Sequence, residues 1–364
     1  MQNLLVRLKK LDWGIIFSTC LLGGIGLVSI YSSSLSTGDF LSLKKQIIFF
    51  GIGFFLMLFL SFFDWRVLKN DPFLIFALYF LSLLVLAGLF FFAPEIRGTK
   101  SWYKMGPLNF DPIEFNKIIL LILLAKYFSI RHVEMYRIGH IIFSGLYIFF
   151  PTLLIFFQPN FGSALILILL WIVILIISGI KIRHFLILVL LGLIAFVFVW
   201  SFSLKDYQKE RILSFIAPQA EPLGAGWSQR QSGIAIGSGS FFGNGIGKGS
   251  QTQYGFLTFP QTDFIFAAVG EEMGLLGVAI LLILFSLLIW RILKIALSAE
   301  SNFPRLFAAG LATIFISQAF IHIGMNLGLL PIIGISFPFV SYGGSAMIAD
   351  FISIGILQSI KTNS

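Results

Sequence analysis

FLIFALYFLSLLVLAGLFFFA, residues 73–93, holds no charged side chain. Wound as an α-helix it would be about 31 Å long, and the hydrocarbon core of a bilayer is about 30 Å thick. Apolar runs of similar length, some of them carrying charged residues, recur at 13–31, 46–63, 113–130, 138–157, 162–179, 184–201, 264–290, 305–328 and 344–360. The chain is 58% hydrophobic and 11% charged, with 43 Phe and a mean hydropathy of +0.96. A soluble domain carries about 25% charged residues, so this chain has less than half that supply. The expected fold is an all-α polytopic membrane protein, one domain over 1–364, with about ten transmembrane helices.

The net charge of +9 does not point to nucleic acid, because the basic residues sit in short loops between apolar runs. Arg7, Lys9, Lys10, Arg66, Lys69, Arg131, Arg137, Lys181, Arg183, Arg291, Lys294, Arg305 and Lys361 fall on the side of the termini. Of the opposite short loops, those at 158–161 and 329–343 carry no Lys or Arg, while those at 32–45 and 94–112 carry some, so the bias is moderate. Positive loops stay inside, so both termini are expected in the cytoplasm. Cys20 is the only cysteine and lies in an apolar run, which excludes disulfides and cysteine metal sites. The first run lacks a small-residue cleavage site and reads as a retained helix rather than a signal peptide.

One connection breaks the rhythm. Residues 202–262 form a loop far longer than a compact bundle needs, on the side away from the cytoplasm. Its Gly, Ser and Gln suit a disordered linker, but the interspersed Ile, Phe, Trp and Tyr favour an ordered, functional loop.

Three polar clusters stand at span ends. Glu114 and Lys117 are three residues apart, on one helix face, where they can pair. Such a pair fixes helix depth at the interface or lines an outward cavity, and the residues alone leave both readings open. In TFPQTDFIFAAVGEEMGLLG, Asp263 enters the eighth span, followed by Glu271 and Glu272. Asp263 could be an N-cap, but two carboxylates further into the span call for a polar interior. In NLGLLPIIGISFPFVSYGGSAM, Pro and Gly prevent a regular helix from Gly328 to Gly344. Irregular backbone at membrane depth is either buried in protein or lines a cavity. There Ser341, Tyr342 and Ser345 offer hydroxyls suited to a sugar or phosphate oxygen, unless the segment is only a re-entrant hairpin. No His or Cys spacing suits a metal, His322 reads as a hydrogen-bonded bundle residue, and the glycine-rich stretch lacks the phosphate-loop pattern.

Together these stretches resemble the SEDS family (shape, elongation, division and sporulation). The resemblance runs from LDWGIIFSTCLLGGIGLVSIYSSS to PFVSYGGSAM, through QPNFGSALI, RILSFIAPQAEPLGAGWSQRQSGIAIGSGSFFGNG and TDFIFAAVGEEMGLLG. The piece GSQTQ at 249–253 resembles the rod-shape, elongation branch more than the division branch.

The resemblance implies a peptidoglycan glycosyltransferase of the bacterial cytoplasmic (inner) membrane that polymerises lipid II at the outer face. It makes Asp263 the catalytic carboxylate, Glu114 and Lys117 the charged pair of a central cavity, and Arg97 and Trp102 part of a loop entering it. Gln231, Ser232, Thr262, Ser341 and Ser345 complete the candidate cavity, with Arg211 or Lys248 of the long loop. The implied partners are a class B penicillin-binding protein, which supplies the transpeptidase, and other elongation-complex membrane proteins.

The chain departs from the family pattern at several points. Gln261 replaces a His, Thr258 and Phe259 replace Pro-Glu, Asn160 replaces the Asp of QPD, and Asp111 and Ile113 replace Gln and Ser. The reaction needs a base at the attacking hydroxyl and positive charge at the diphosphate. Asp263 is expected to be the base, its pKa raised by partial burial. Lys117, Arg97, and Arg211 or Lys248 are expected to hold the diphosphates. No cofactor is required, although a divalent cation, Mg or Mn, could share that task. A lipid II flippase or a non-catalytic scaffold remains the competing reading.

Overall fold

The computed structural model describes residues 9–95, 99–106, 108–131, 138–198, 201 and 225–363. In chain order the elements are α1 (Trp13–Thr37), α2 (Leu41–Ser61), the short α3 (Arg66–Asn70), α4 (Pro72–Phe92), the hairpin β1 (Tyr103–Met105) and β2 (Leu108–Phe110), and α5 (Pro112–Arg131). There follow α6 (Ile138–Phe157), α7 (Phe161–Ile177), α8 (Ile182–Phe198), α9 (Ala225–Ser238), the short α10 (Ser250–Gln253), α11 (Ile265–Ser298), α12 (Asn302–Asn326) and α13 (Gly344–Thr362). All the helices except α3, α9 and α10 stand where the apolar runs predict them.

The chain is a multi-pass membrane protein. Among the described residues six helices, α1, α2, α4, α6, α11 and α12, are long and apolar enough to cross a bilayer by length and composition. The others fall short for visible reasons. α5 and α13 carry buried polar side chains, among them Asn116, Lys117, Asp350 and Gln358. α7 and α8 have 17 residues each. Phe73, Phe91, Phe92 and Leu297 lie exposed on the bundle surface, as lipid contact permits.

Asp12 ties both ends of the described chain together. It caps α1 by accepting from the N–H groups of Gly14 and Ile15. The same carboxylate meets Lys361 Nζ at 2.6 Å and Arg291 at 3.4 Å. Gln358 adds a two-way main-chain clasp, accepting from Asp12 N–H at 2.9 Å and donating to its carbonyl at 3.0 Å. Burial alone would raise the Asp12 pKa, but Lys361, the Ile15 N–H and Arg291 hold it below the ordinary carboxylate value.

At the other end, α11 breaks at Gly274, whose φ of 65° and ψ of −163° lie outside the helical region. Only glycine adopts that backbone readily. The break frees N–H groups, and the stretch after α9 takes them up. Leu275 and Leu276 donate to the carbonyls of Ser240 and Phe241, while Asn244 and Gly245 donate to those of Glu271 and Glu272. The two glutamates stitch the same stretch down. Glu271 accepts from the N–H groups of Gln251 and Thr252 at 2.7 and 3.0 Å, and Glu272 accepts from Ser32 and from Gln253. The polar interior that these carboxylates demand is therefore the chain's own loop, which is ordered from 225 to 262. Residues 202–224 of the expected loop lie outside the described residues.

Between α12 and α13 the backbone is irregular, as the Pro and Gly residues predict. An unpaired backbone polar group in hydrocarbon would cost several kcal/mol, so each needs a partner. Phe337 N–H donates to Ser341 Oγ, Phe339 N–H to Asp350, Tyr342 N–H to the carbonyl of Gln261, and Gly343 N–H to Gln46. Phe339 sits at φ 64° and is held there by rings, edge-on to Phe315 and Phe351. On its other side the segment presses on α1 at Gly26, where any Cβ would overlap the carbonyl of Val340.

Candidate active site

A cavity of about 640 Å³ opens at the Asp263 end of the bundle. Its walls come from α2, the β-hairpin, the start of α5, the turn before α7, the residues before α11, and the irregular segment. Asp263, Glu114, Lys117, Trp102, Thr262 and Ser345 all line it, so residues far apart in sequence meet as expected.

Lys117 Nζ lies 2.6 Å from Glu114 Oε2, one turn apart on α5, with the lysine side chain 3% exposed and the glutamate 11%. The pair therefore lines a cavity. Removing one partner of such a buried pair leaves the other uncompensated, at about 3–5 kcal/mol.

Asp263 is half-buried, one residue before the α11 cap position Phe264. The first turn of α11 takes its side-chain acceptor from α12 instead: Asn326 Oδ1 accepts from Ala267 N–H at 3.1 Å. The amide of Asn326 donates to the Asp263 carbonyl and to that of His322. Thr262 is fixed through its carbonyl, which accepts from Ser341 Oγ at 3.0 Å. Gln261, a departure from the family pattern, joins the irregular segment through its main-chain carbonyl, so its side chain leaves that link intact.

Asp111, just before α5, was noted only as a departure, yet it too lines the cavity. Its carboxylate accepts from the Ile113 N–H at 2.9 Å and from the Trp102 indole, and its own N–H donates to Ser345 Oγ at 2.8 Å. Burial first, and then the charge of Glu114, push its pKa up to about 7 against the pull of the Ile113 N–H, Lys117 and Trp102. Asn160 caps α7 through Ser163 N–H and donates to Ser101, the neighbour of Trp102.

Other predicted residues lie elsewhere. Ser341 is buried as a brace, accepting from Phe337 N–H and donating to Thr262. Ser232 on α9 donates to the Asn326 carbonyl at 2.7 Å, and Gln231 is buried beside it. Lys248 is exposed on the loop and does not line the cavity. Arg97 and Arg211 lie outside the described residues. Sequence reasoning missed Lys45, Ser228 and Gln318 as lining residues, and Asn326 and Asp350 as braces. Lys45 had a signal, a cation at the start of an apolar run, but its basic neighbour Lys44 hid it. Among the described residues no three His, Cys, Asp or Glu side chains gather as a metal ligand set.

A polar cavity carrying both signs of charge, walled by membrane helices and an irregular segment, defines a polytopic membrane protein with a polar site inside its bundle. The chain belongs to the FtsW/RodA/SpoVE family of cell cycle proteins, whose pattern matches residues 12–364. It is 34% identical to the stage V sporulation protein E of Bacillus subtilis (strain 168), over 97% of each chain. It is 38% identical to the peptidoglycan glycosyltransferase MrdB of Escherichia coli (strain K12), over 79% of this chain and 77% of that one. A solved structure titled "Structural coordination of polymerization and crosslinking by a peptidoglycan synthase complex" contains a chain 32% identical, with a TM-score of 0.83, covering 97% of this chain and 98% of that one.

Proposed function

We propose that this chain is a peptidoglycan glycosyltransferase that polymerises lipid II at the outer face of the bacterial cytoplasmic membrane, with both termini inside. The observation that carries the reading is the meeting of Asp263, the Glu114–Lys117 pair and Lys45 around one cavity. The names of its relatives support the same chemistry. Asp263 takes the proton from the C4 hydroxyl of the acceptor sugar as that oxygen bonds to the anomeric carbon of the donor. The bond from that carbon to the diphosphate oxygen breaks, and the lipid diphosphate leaves with the electron pair.

Lys117 and Lys45 supply positive charge where the leaving group gathers negative charge, and charge-assisted hydrogen bonds to phosphate are the strong kind. Arg97 and Arg211 are proposed to add to it. Lipid tails stay in the bilayer, so only the headgroup enters. A class B penicillin-binding protein, with other membrane proteins of the elongation machinery, is the proposed partner for rod-shape growth.

Polymer formation in detergent is the test. Purified chain with its transpeptidase, given labelled lipid II, should yield glycan strands in the presence of penicillin. A flippase or a scaffold yields none, because transport has no meaning in detergent.

A further inference from the structure

The charges of the cavity do not suit its proposed ligand. Among the described lining residues, Lys45 and Lys117 are the cations, and Asp111, Glu114 and Asp263 are the carboxylates. Two cations against three carboxylates leave one negative charge in excess, and the ligand is a diphosphate. Glu114 and Lys117 neutralise each other at 2.6 Å. Asp350 lies behind them on α13, within electrostatic reach of both, and adds no positive charge.

Asp111 cannot swing aside, since the Ile113 N–H and the Trp102 indole hold its carboxylate and Ser345 holds its main chain. Ser345 meets it from the start of α13 without charge, and Tyr342 of the irregular segment lines the same cavity. An arriving diphosphate therefore meets a fixed carboxylate.

We propose that Asp111 is a ligand-facing residue that takes up one proton from solvent as the diphosphate enters and returns it when the diphosphate leaves. The proposal rests on the polymerase reading above. Its proton is available near neutrality, because burial and Glu114 already raise this group to about 7. A bound diphosphate raises it further, so affinity should fall as pH rises above that value. The hydrogen bonds to Ile113 and Trp102 oppose protonation without outweighing the burial.

Proton-linked binding is read directly by titration calorimetry in buffers of unlike ionisation enthalpy, with a short-chain polyprenyl diphosphate and the full chain in detergent. The wild type should take up roughly half a proton more than Asp111→Asn at pH 7, and close to one more at pH 8. Between pH 6.5 and 8.5 the wild-type affinity should fall about tenfold or more beyond any change in the variant. The titration of the probe itself is common to both proteins and cancels. Asparagine still accepts from the Ile113 N–H, so α5 keeps its first turn, and Asp111→Glu should restore the uptake.

Equal proton uptake by wild type and Asp111→Asn would overturn the proposal while leaving the polymerase reading intact. Failure of both proteins to bind the diphosphate would overturn the two together.

Discussion

Asn326 holds Asp263 from the neighbouring helix: its side-chain amide donates to the Asp263 carbonyl at 2.9 Å. Its oxygen accepts from Ala267 N–H, and both residues lie where α11 begins. The residue is fully buried and does not itself line the cavity. On the proposed reading its role is to aim, because a general base must lie within hydrogen-bond reach of the proton it takes.

Replacing it should therefore slow turnover more than it weakens binding. Asn326→Ala removes both links and should cost about 1–3 kcal/mol of stability and about tenfold or more in kcat, with KM little changed. Asn326→Asp keeps the acceptor for Ala267 but loses the donor to Asp263, so it should fold better than the alanine variant and still be slow. Polymerisation kinetics with a melting curve check both, and an unchanged kcat in the aspartate variant would refute the positioning role.

Glu271 anchors the loop rather than the substrate. Glu271→Ala strips the partner from the Gln251 and Thr252 N–H groups and should lower stability by about 2–3 kcal/mol. Limited proteolysis should then cut between residues 239 and 257 sooner than in the wild type. If cutting is unchanged, the loop is held by other means.

The clamp at the termini end gives a pH signature. The folded-state pKa of Asp12 lies below its ordinary value near 3.8, so its contribution is full above that value and fades as pH falls through the lowered one. Asp12→Asn should melt lower than the wild type at pH 7, by about 1–2 kcal/mol given the partly exposed Lys361 and Arg291. The gap should begin to narrow below about pH 4 and close as pH falls through the lowered pKa. A gap that stays constant with pH would mean the main-chain clasp of Gln358 does the holding.

Much of this architecture was legible because bilayer physics is strict. An uncharged run such as 73–93 has few alternatives to a spanning helix, and the Pro and Gly residues of 328–344 forbid one. Glu114 and Lys117 were readable as a pair because helix spacing alone brings them together. Braces such as Asn326, Asp350 and Gln46 were not, because each acts on backbone groups 11 to 297 residues away. Asp111 was visible only as a departure: the stretch FDPIE shows Glu114 beside it, but neither Trp102 nor the burial that raises its pKa. Glu271 and Glu272 promised a polar interior, but the sequence could not say that the chain's own loop supplies it.

Gly26 tests the seat of the irregular segment. Gly26→Ala puts a Cβ into the Val340 carbonyl and should force α1 and the segment apart, costing about 1–3 kcal/mol. Because that segment forms a cavity wall, activity should fall further than the melting temperature suggests. Wild-type activity in this variant would show that the wall tolerates displacement.

Asp263 carries the central claim, and one measurement addresses it most directly. The purified chain with the proposed transpeptidase partner is given labelled lipid II, and glycan strands are counted for wild type and Asp263→Asn of equal melting temperature. The base assignment predicts no polymer from the variant while it still binds the diphosphate probe. Polymer at the wild-type rate from Asp263→Asn would contradict it and send the search for the base to the other carboxylates of the cavity.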